Sequence, residues 1–147
     1  MTTLGEALAF ARQRIDRLDA RLLLQYATGC THADLLARPE TPVIGPAFAQ
    51  FADWVARRAA GEPLAYLLGE AEFRGRVFQV SPAVLIPRPE TEVLIELALE
   101  VLAGRAAADV VDLGTGSGIV AVSLALECPA ATVSAVDLSP GALAVAR

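Results

Sequence analysis

The residues with the most chemical content are Asp112-Leu113-Gly114-Thr115-Gly116-Ser117-Gly118. Glycines at alternate positions permit a tight turn and let a ligand touch the backbone. The stretch joins two apolar runs, Asp109 to Leu113 and Ser117 to Glu127, which read as a buried parallel strand and a helix. In that setting the free N–H groups of the helix start point outward from the turn. Asp137 closes the next predicted strand, Ala131 to Val136, 23 residues after the first glycine. An acid there accepts hydrogen bonds from both hydroxyls of a ribose. The plainer readings are a tight turn without a ligand and a helix cap at Asp137, a role that Ser139 fills equally well. Turn and acid together point to a nucleoside-type ligand.

Charge and spacing narrow the ligand. The dinucleotide fingerprint is GxGxxG. Here the spacing is GxGxG, with Ile119 where the third glycine of that fingerprint falls. The loop also opens on an acid, Asp112, which would repel a pyrophosphate and attract an ammonium or a sulfonium. S-adenosylmethionine carries both cations. Asp112 also has the option of holding the loop through hydrogen bonds to backbone N–H groups, which is compatible with cofactor binding.

Composition removes other chemistries. All 12 basic residues are Arg, so no lysine chemistry and no Gly-Lys-Ser/Thr phosphate loop exists in these 147 residues. A single histidine, His32, argues against a His-based metal cluster or a Ser-His-Asp triad, and no metal is expected. Cys30 and Cys128 form no CxxC pair and read as reduced thiols of a cytoplasmic protein. A net charge of −5 argues against a dominant basic surface for nucleic acid. The apolar share is 54%, enough for a core, yet no run approaches the ~20 apolar residues of a membrane span. The N-terminus carries Glu6 and no basic cluster, unlike a signal peptide.

The elements that must position the loop follow from periodicity. Leu4, Leu8, Ala11 and Ile15 recur at helical spacing, and Leu18, Leu22 and Tyr26 continue after Asp16, a plausible cap. Thr31 and Asp34 mark a short capped helix ending near Pro39. Phe48, Phe51, Trp54 and Val55 form a further stripe whose aromatics read as core, and Gly61-Glu62-Pro63 ends it. Phe73-Arg74-Gly75-Arg76-Val77-Phe78 reads as two short strands around a turn. Val84-Leu85-Ile86 looks buried, and Pro87-Arg88-Pro89 is stiff, extended backbone. Glu90 and Glu92 open a helix carrying Val93, Leu94, Leu97, Val101 and Leu102.

The loop Asp112 to Gly118, followed by Ala135-Val136-Asp137, resembles the cofactor core of class I S-adenosylmethionine-dependent methyltransferases. A second block narrows the resemblance. Gly61-Glu62-Pro63-Leu64-Ala65-Tyr66-Leu67-Leu68-Gly69, then Phe73, Phe78 and Val80, then Leu85-Ile86-Pro87-Arg88-Pro89-Glu90-Thr91-Glu92, is similar to the bacterial peptide chain release factor glutamine methyltransferase family (HemK/PrmC). The resemblance spans essentially the whole chain and is least specific in the N-terminal helices.

The resemblance implies an α/β architecture. An N-terminal helical bundle at residues 1–72 would help dock the substrate, and a β-hairpin linker would follow at 73–82. A Rossmann-like class I methyltransferase domain would begin at 83–147. It implies methyl transfer from S-adenosylmethionine to the side-chain amide nitrogen of the glutamine in the Gly-Gly-Gln motif of peptide chain release factors. No membrane or direct nucleic-acid partner is implied. Gly114, Thr115, Gly116, Ser117 and Gly118 would line the methionine part of the cofactor, and Asp137 would hold its ribose. Arg88, Glu90 and Thr91 would lie near the pocket, or serve as a conformational lock and helix start.

The family's Asn-Pro-Pro-Tyr string, whose Asn orients the target amide, does not occur in this sequence, so no catalytic residue is assigned. An amide nitrogen is a poor nucleophile, and positioning must supply most of its activation. The expectation is therefore an N-terminal portion of a longer enzyme, inactive in transfer by itself. Two parallel strands alone would leave apolar sheet surface open. Alternatives are a class I methyltransferase acting on a nucleic-acid base or another protein, and a non-catalytic protein-binding helical module. A nicotinamide dehydrogenase is disfavoured by Asp112 and the glycine spacing.

Overall fold

The structure is a computed structural model that describes residues 2–147. The chain divides into two compact units, one up to Leu68 and one from Gly69 to Arg147.

The first unit is helical: α1 (Leu4–Arg12), α2 (Arg17–Thr28), α3 (His32–Ala37), α4 (Gly45–Ala59) and α5 (Leu64–Leu68). Side chains fix the starts of the first three. Thr3 and Glu6 make a reciprocal capping box on α1, Asp16 accepts from the Leu18 N–H on α2, and Thr31 and Asp34 repeat the box on α3. The first N–H groups of α1 also need acceptors. The loop before α4 supplies them: Leu4 N–H donates to Thr41 O at 2.9 Å and Gly5 N–H to Pro39 O at 2.8 Å.

The core of this unit is Leu4, Ala7, Leu8 and Ala11 from α1, Ala20, Leu23 and Leu24 from α2, and Phe51 and Val55 from α4, closed by Leu35, Val43 and Leu67. Phe48 and Trp54 pack against it, as the aromatic stripe predicts. The stripe expected on α2 is displaced. Leu18 and Tyr26 are exposed, because Ala20, Leu23, Leu24 and Ala27 make the denser i, i+3, i+4, i+7 set and turn inward instead.

The second unit opens with a hairpin, β1 (Glu70–Phe73) and β2 (Arg76–Gln79), in antiparallel register from Glu70↔Gln79 to Phe73↔Arg76. Its two turn residues, Arg74 and Gly75, both have positive φ, at 50° and 70°, the geometry of a type I′ turn. Then come α6 (Glu90–Leu102), β3 (Ala108–Leu113), α7 (Ile119–Glu127), β4 (Ala131–Val136) and α8 (Pro140–Val145). β3 and β4 are parallel and paired from Ala108↔Ala131 to Leu113↔Val136. Residues 73–82, expected as a linker, give this unit two of its core side chains. Phe73 and Phe78 meet edge-on with centroids 6.3 Å apart and share a cluster with Ile95, Leu102 and Leu124.

Burial of the β3–β4 sheet is one-sided. Ala108, Val110 and Val133 pack into the cluster, whereas Val111 and Leu113 are 58% and 78% exposed. The reading of Asp109 to Leu113 as a buried strand is thus corrected to half-buried: successive side chains alternate faces, and only one face is covered. Val84-Leu85-Ile86 alternates too, with Val84 buried and Leu85 70% exposed.

Candidate functional site

The glycine loop lies between the carboxyl end of β3 and the start of α7. Gly114, Gly116 and Gly118 have φ of 78°, 56° and 81°. Three left-handed residues in alternation are why glycine stands at these positions and not between them. A Cβ at Gly114 or Gly116 would meet nothing within 4 Å, so that side of the backbone is open to a ligand.

The loop is laced to the end of β4. Gly114 and Thr115 N–H groups both donate to Val136 O, at 2.8 and 3.0 Å, and Gly116 N–H donates to Asp137 Oδ2 at 2.9 Å. Asp137 Oδ1 accepts from Ser139 N–H at 2.9 Å. These backbone donors, Ser139 first and then Gly116, hold the Asp137 carboxyl below its usual range and keep it ionised. Ser139 itself caps α8, accepting from Ala142 N–H. The cap is therefore filled without Asp137, whose remaining lone pairs stay available.

Asp112 performs a similar service on the other side. Its Oδ2 accepts from the Thr115 hydroxyl at 2.7 Å and from Ala121 N–H at 3.2 Å. It thus holds the loop and takes one of the orphan donors of α7. Its Oδ1 has no partner among the described residues.

Two cavities meet at this loop. One, of about 150 Å³, is lined by Arg88, Thr91, Asp112, Gly114, Thr115, Gly116 and Ser117, with an apolar wall that includes Ile86 and Ile119. The other, of about 460 Å³, is lined by Leu113, Gly114, Val136, Asp137 and Leu138, at the carboxyl ends of both strands. Gly114 belongs to both. Ligands of open α/β sheets sit outside the carboxyl strand ends, where these cavities lie.

Among the residues singled out from the sequence, Arg88, Thr91, Asp112 and Gly114 to Ser117 come together in the first cavity, and Asp137 lines the second. Gly118 is buried as the N-cap of α7 and packs near Ala146, so it shapes the turn and does not line the cavity. Glu90 opens α6 and lines neither cavity. Sequence reasoning passed over Leu85, Ile86, Pro87, Ile119 and Val120 as wall residues; they look like ordinary apolar positions. Among the described residues, no group of three His, Cys, Asp or Glu is placed to hold a metal ion, and no helix is long and apolar enough to cross a membrane.

Comparison with known proteins bears directly on this geometry. The PrmC N-terminal domain family matches residues 3–69, and the methyltransferase small domain family matches residues 91–147. The release factor glutamine methyltransferase of Bordetella pertussis is 53% identical over 147 residues, all of this chain and 54% of that protein. The proteins of the same name from Burkholderia pseudomallei and Neisseria gonorrhoeae are each 51% identical. They match 90% and 91% of this chain, and 47% and 48% of their own lengths.

The chain belongs to the release factor glutamine methyltransferase family.

It spans about half the length of the curated relatives it matches. The first unit corresponds to the PrmC N-terminal domain. In the second, β3, α7, β4 and α8 belong to a methyltransferase fold. The loop after β3 and the acid after β4 both fall inside the matched methyltransferase segment.

Proposed function

We propose that the second unit binds S-adenosylmethionine across the two cavities that share Gly114. We further propose that the protein methylates the glutamine side-chain amide of peptide chain release factors, in the cytoplasm. One observation carries the cofactor reading: two carboxylates, Asp112 and Asp137, stand at the carboxyl ends of adjacent parallel strands, with a left-handed glycine turn between them.

The donor set fits such a ligand. S-adenosylmethionine supplies, when bound, a methyl group activated on a sulfonium. Asp137 offers acceptors to a ribose while its backbone donors keep it anionic. Asp112 offers Oδ1 to an ammonium, and Arg88, which lines the same cavity, offers a guanidinium to a carboxylate. Cation and anion recognition within one cavity suits a zwitterionic amino-acid end, and the carboxylate disfavours a pyrophosphate. Ser117 and Thr115 are almost fully buried, so the loop is pre-formed and binding does not have to order it. No residue in this chain is assigned the transfer step, which in this reading needs side chains that present the amide.

Calorimetric titration of the chain with S-adenosylmethionine, and separately with NAD, tests the cofactor reading. Saturable binding of the first and none of the second is expected. Asp137→Ala should weaken it by roughly tenfold or more, the scale of charge-assisted hydrogen bonds. Uptake of the dinucleotide with indifference to the sulfonium compound would overturn it. For the substrate, a full-length protein carrying this sequence should add one methyl group to a release factor glutamine, read by peptide mass.

A further inference from the structure

The helical unit holds a charged site of its own. Arg12 at the end of α1, Arg21 in α2 and His32 at the start of α3 line one cavity of about 210 Å³. No acidic residue lines it. The acids on the same elements are engaged elsewhere: Glu6 with Thr3 N–H, Asp16 with Leu18 N–H, Asp19 with Arg58 at 2.7 Å, and Asp34 with Thr31. Arg12, Arg21 and His32 have no ion pair among the described residues. Arg21 Nε is shielded from solvent and lacks any hydrogen-bond partner there. A dehydrated guanidinium N–H without an acceptor costs free energy that an incoming anion would recover. Residues up to Leu68 carry seven arginines and seven acids, so the excess positive charge is local to this cavity and not a property of the unit.

The rest of the lining is apolar: Leu8, Leu35 and Leu36, with Leu36 73% exposed. A free inorganic anion would meet the cations and leave this apolar surface wet. A carboxylate side chain beside an apolar one covers both. The volume exceeds several water molecules, at about 30 Å³ each, and accepts the end of a Glu or Asp side chain. We propose that Arg12, Arg21 and His32 form a docking pocket for an acidic peptide segment, an Asp or Glu with an adjacent leucine-like residue, presented by a partner protein. Bidentate donation by Arg21 to the carboxylate supplies the direction, and Leu36 contacts the apolar neighbour. This inference is independent of cofactor binding and of methyl transfer.

The probe is a capped tripeptide, acetyl-Leu-Glu-Leu-amide, with its Gln twin and inorganic phosphate as comparison arms, added to the 147-residue chain without cofactor. Arginine Nε–H NMR signals are the readout. The Glu peptide should move the Arg21 signal saturably, and the Gln twin should bind roughly tenfold or more weakly, the loss expected for one charge-assisted hydrogen bond. Arg21→Gln should cause a similar loss. Arg12→Gln, at an exposed position that does not threaten folding, should weaken binding several-fold, and Arg17→Gln, outside the cavity, should change nothing. Equal binding of the Glu and Gln peptides would overturn the proposal. So would a response to phosphate alone, or equal losses in Arg12→Gln and Arg17→Gln.

Discussion

Two aspartates hold the same loop from opposite sides, and their partners predict different behaviour on substitution. Asp112→Asn keeps an oxygen for the Thr115 hydroxyl and removes the charge. We expect a thermal midpoint close to that of the parent chain and a several-fold loss of S-adenosylmethionine affinity by calorimetry. If affinity is retained, Asp112 is a loop fastener alone. Ser123 makes a contrasting case. It is fully buried in α7, and its hydroxyl has no partner among the described residues. Ser123→Ala removes an unsatisfied group and adds helix propensity, so it should stabilise the chain by about 1 kcal/mol in urea unfolding. The loop aspartates were legible in the sequence because spacing and residue type sufficed. Ser123 was not, because its lack of a partner depends on how α7 packs.

At the scale of elements, the hairpin and α7 are joined by charge. Arg74 donates to both oxygens of Glu127, at 3.1 and 2.7 Å, and Arg76 adds a third bond at 2.8 Å. Arg74 adopts φ of 50°, a conformation that arginine disfavours, and the fork to Glu127 offsets that strain. The two arginines hold the Glu127 carboxyl down to about 2, from an ordinary 4.5. The folded pKa lies below the unfolded one. The contribution is therefore complete above about pH 4.5 and is lost as pH falls from there toward 2. Glu127→Gln should lower the melting temperature at pH 7 by circular dichroism, and the deficit should shrink as both proteins are taken to pH 2. An equal deficit at both values would assign the effect to packing. The sequence shows where the hairpin turns, at Arg74-Gly75. It gives no sign that its arginines reach a glutamate some 50 residues on, because such pairing is set by tertiary contact and not by local spacing. The displaced stripe on α2 has the same cause: periodicity identified the helix, and the neighbouring helices chose its inner face.

For the molecule as a whole, the unequal covering of apolar surface has consequences. The helical unit buries side chains from all five of its helices around Phe51. The second unit leaves Val93, Leu94, Leu97 and Val101 of α6 more than half exposed, together with Val111 and Leu113 of β3. Leu94, Leu97, Val101 and Val111 line a common cavity of about 530 Å³, an apolar surface of the kind that soluble monomers rarely leave open. A parallel sheet is ordinarily covered on both faces. Leu97→Glu places a charge on this surface without removing a buried contact, since Leu97 is 55% exposed. For the 147-residue chain we expect dye binding by exposed apolar surface and concentration-dependent association in sedimentation velocity, and we expect Leu97→Glu to reduce both while leaving helix content unchanged. Hydrogen exchange should rank the units in the same order. Amides of α2 and α4 should be protected well beyond those of Val110 to Leu113, because exchange follows local opening and a strand with one bare face opens at lower cost. Equal protection of β3 in a monomeric chain would mean that the second unit is stable on the strength of the Phe73–Phe78–Ile95 cluster alone.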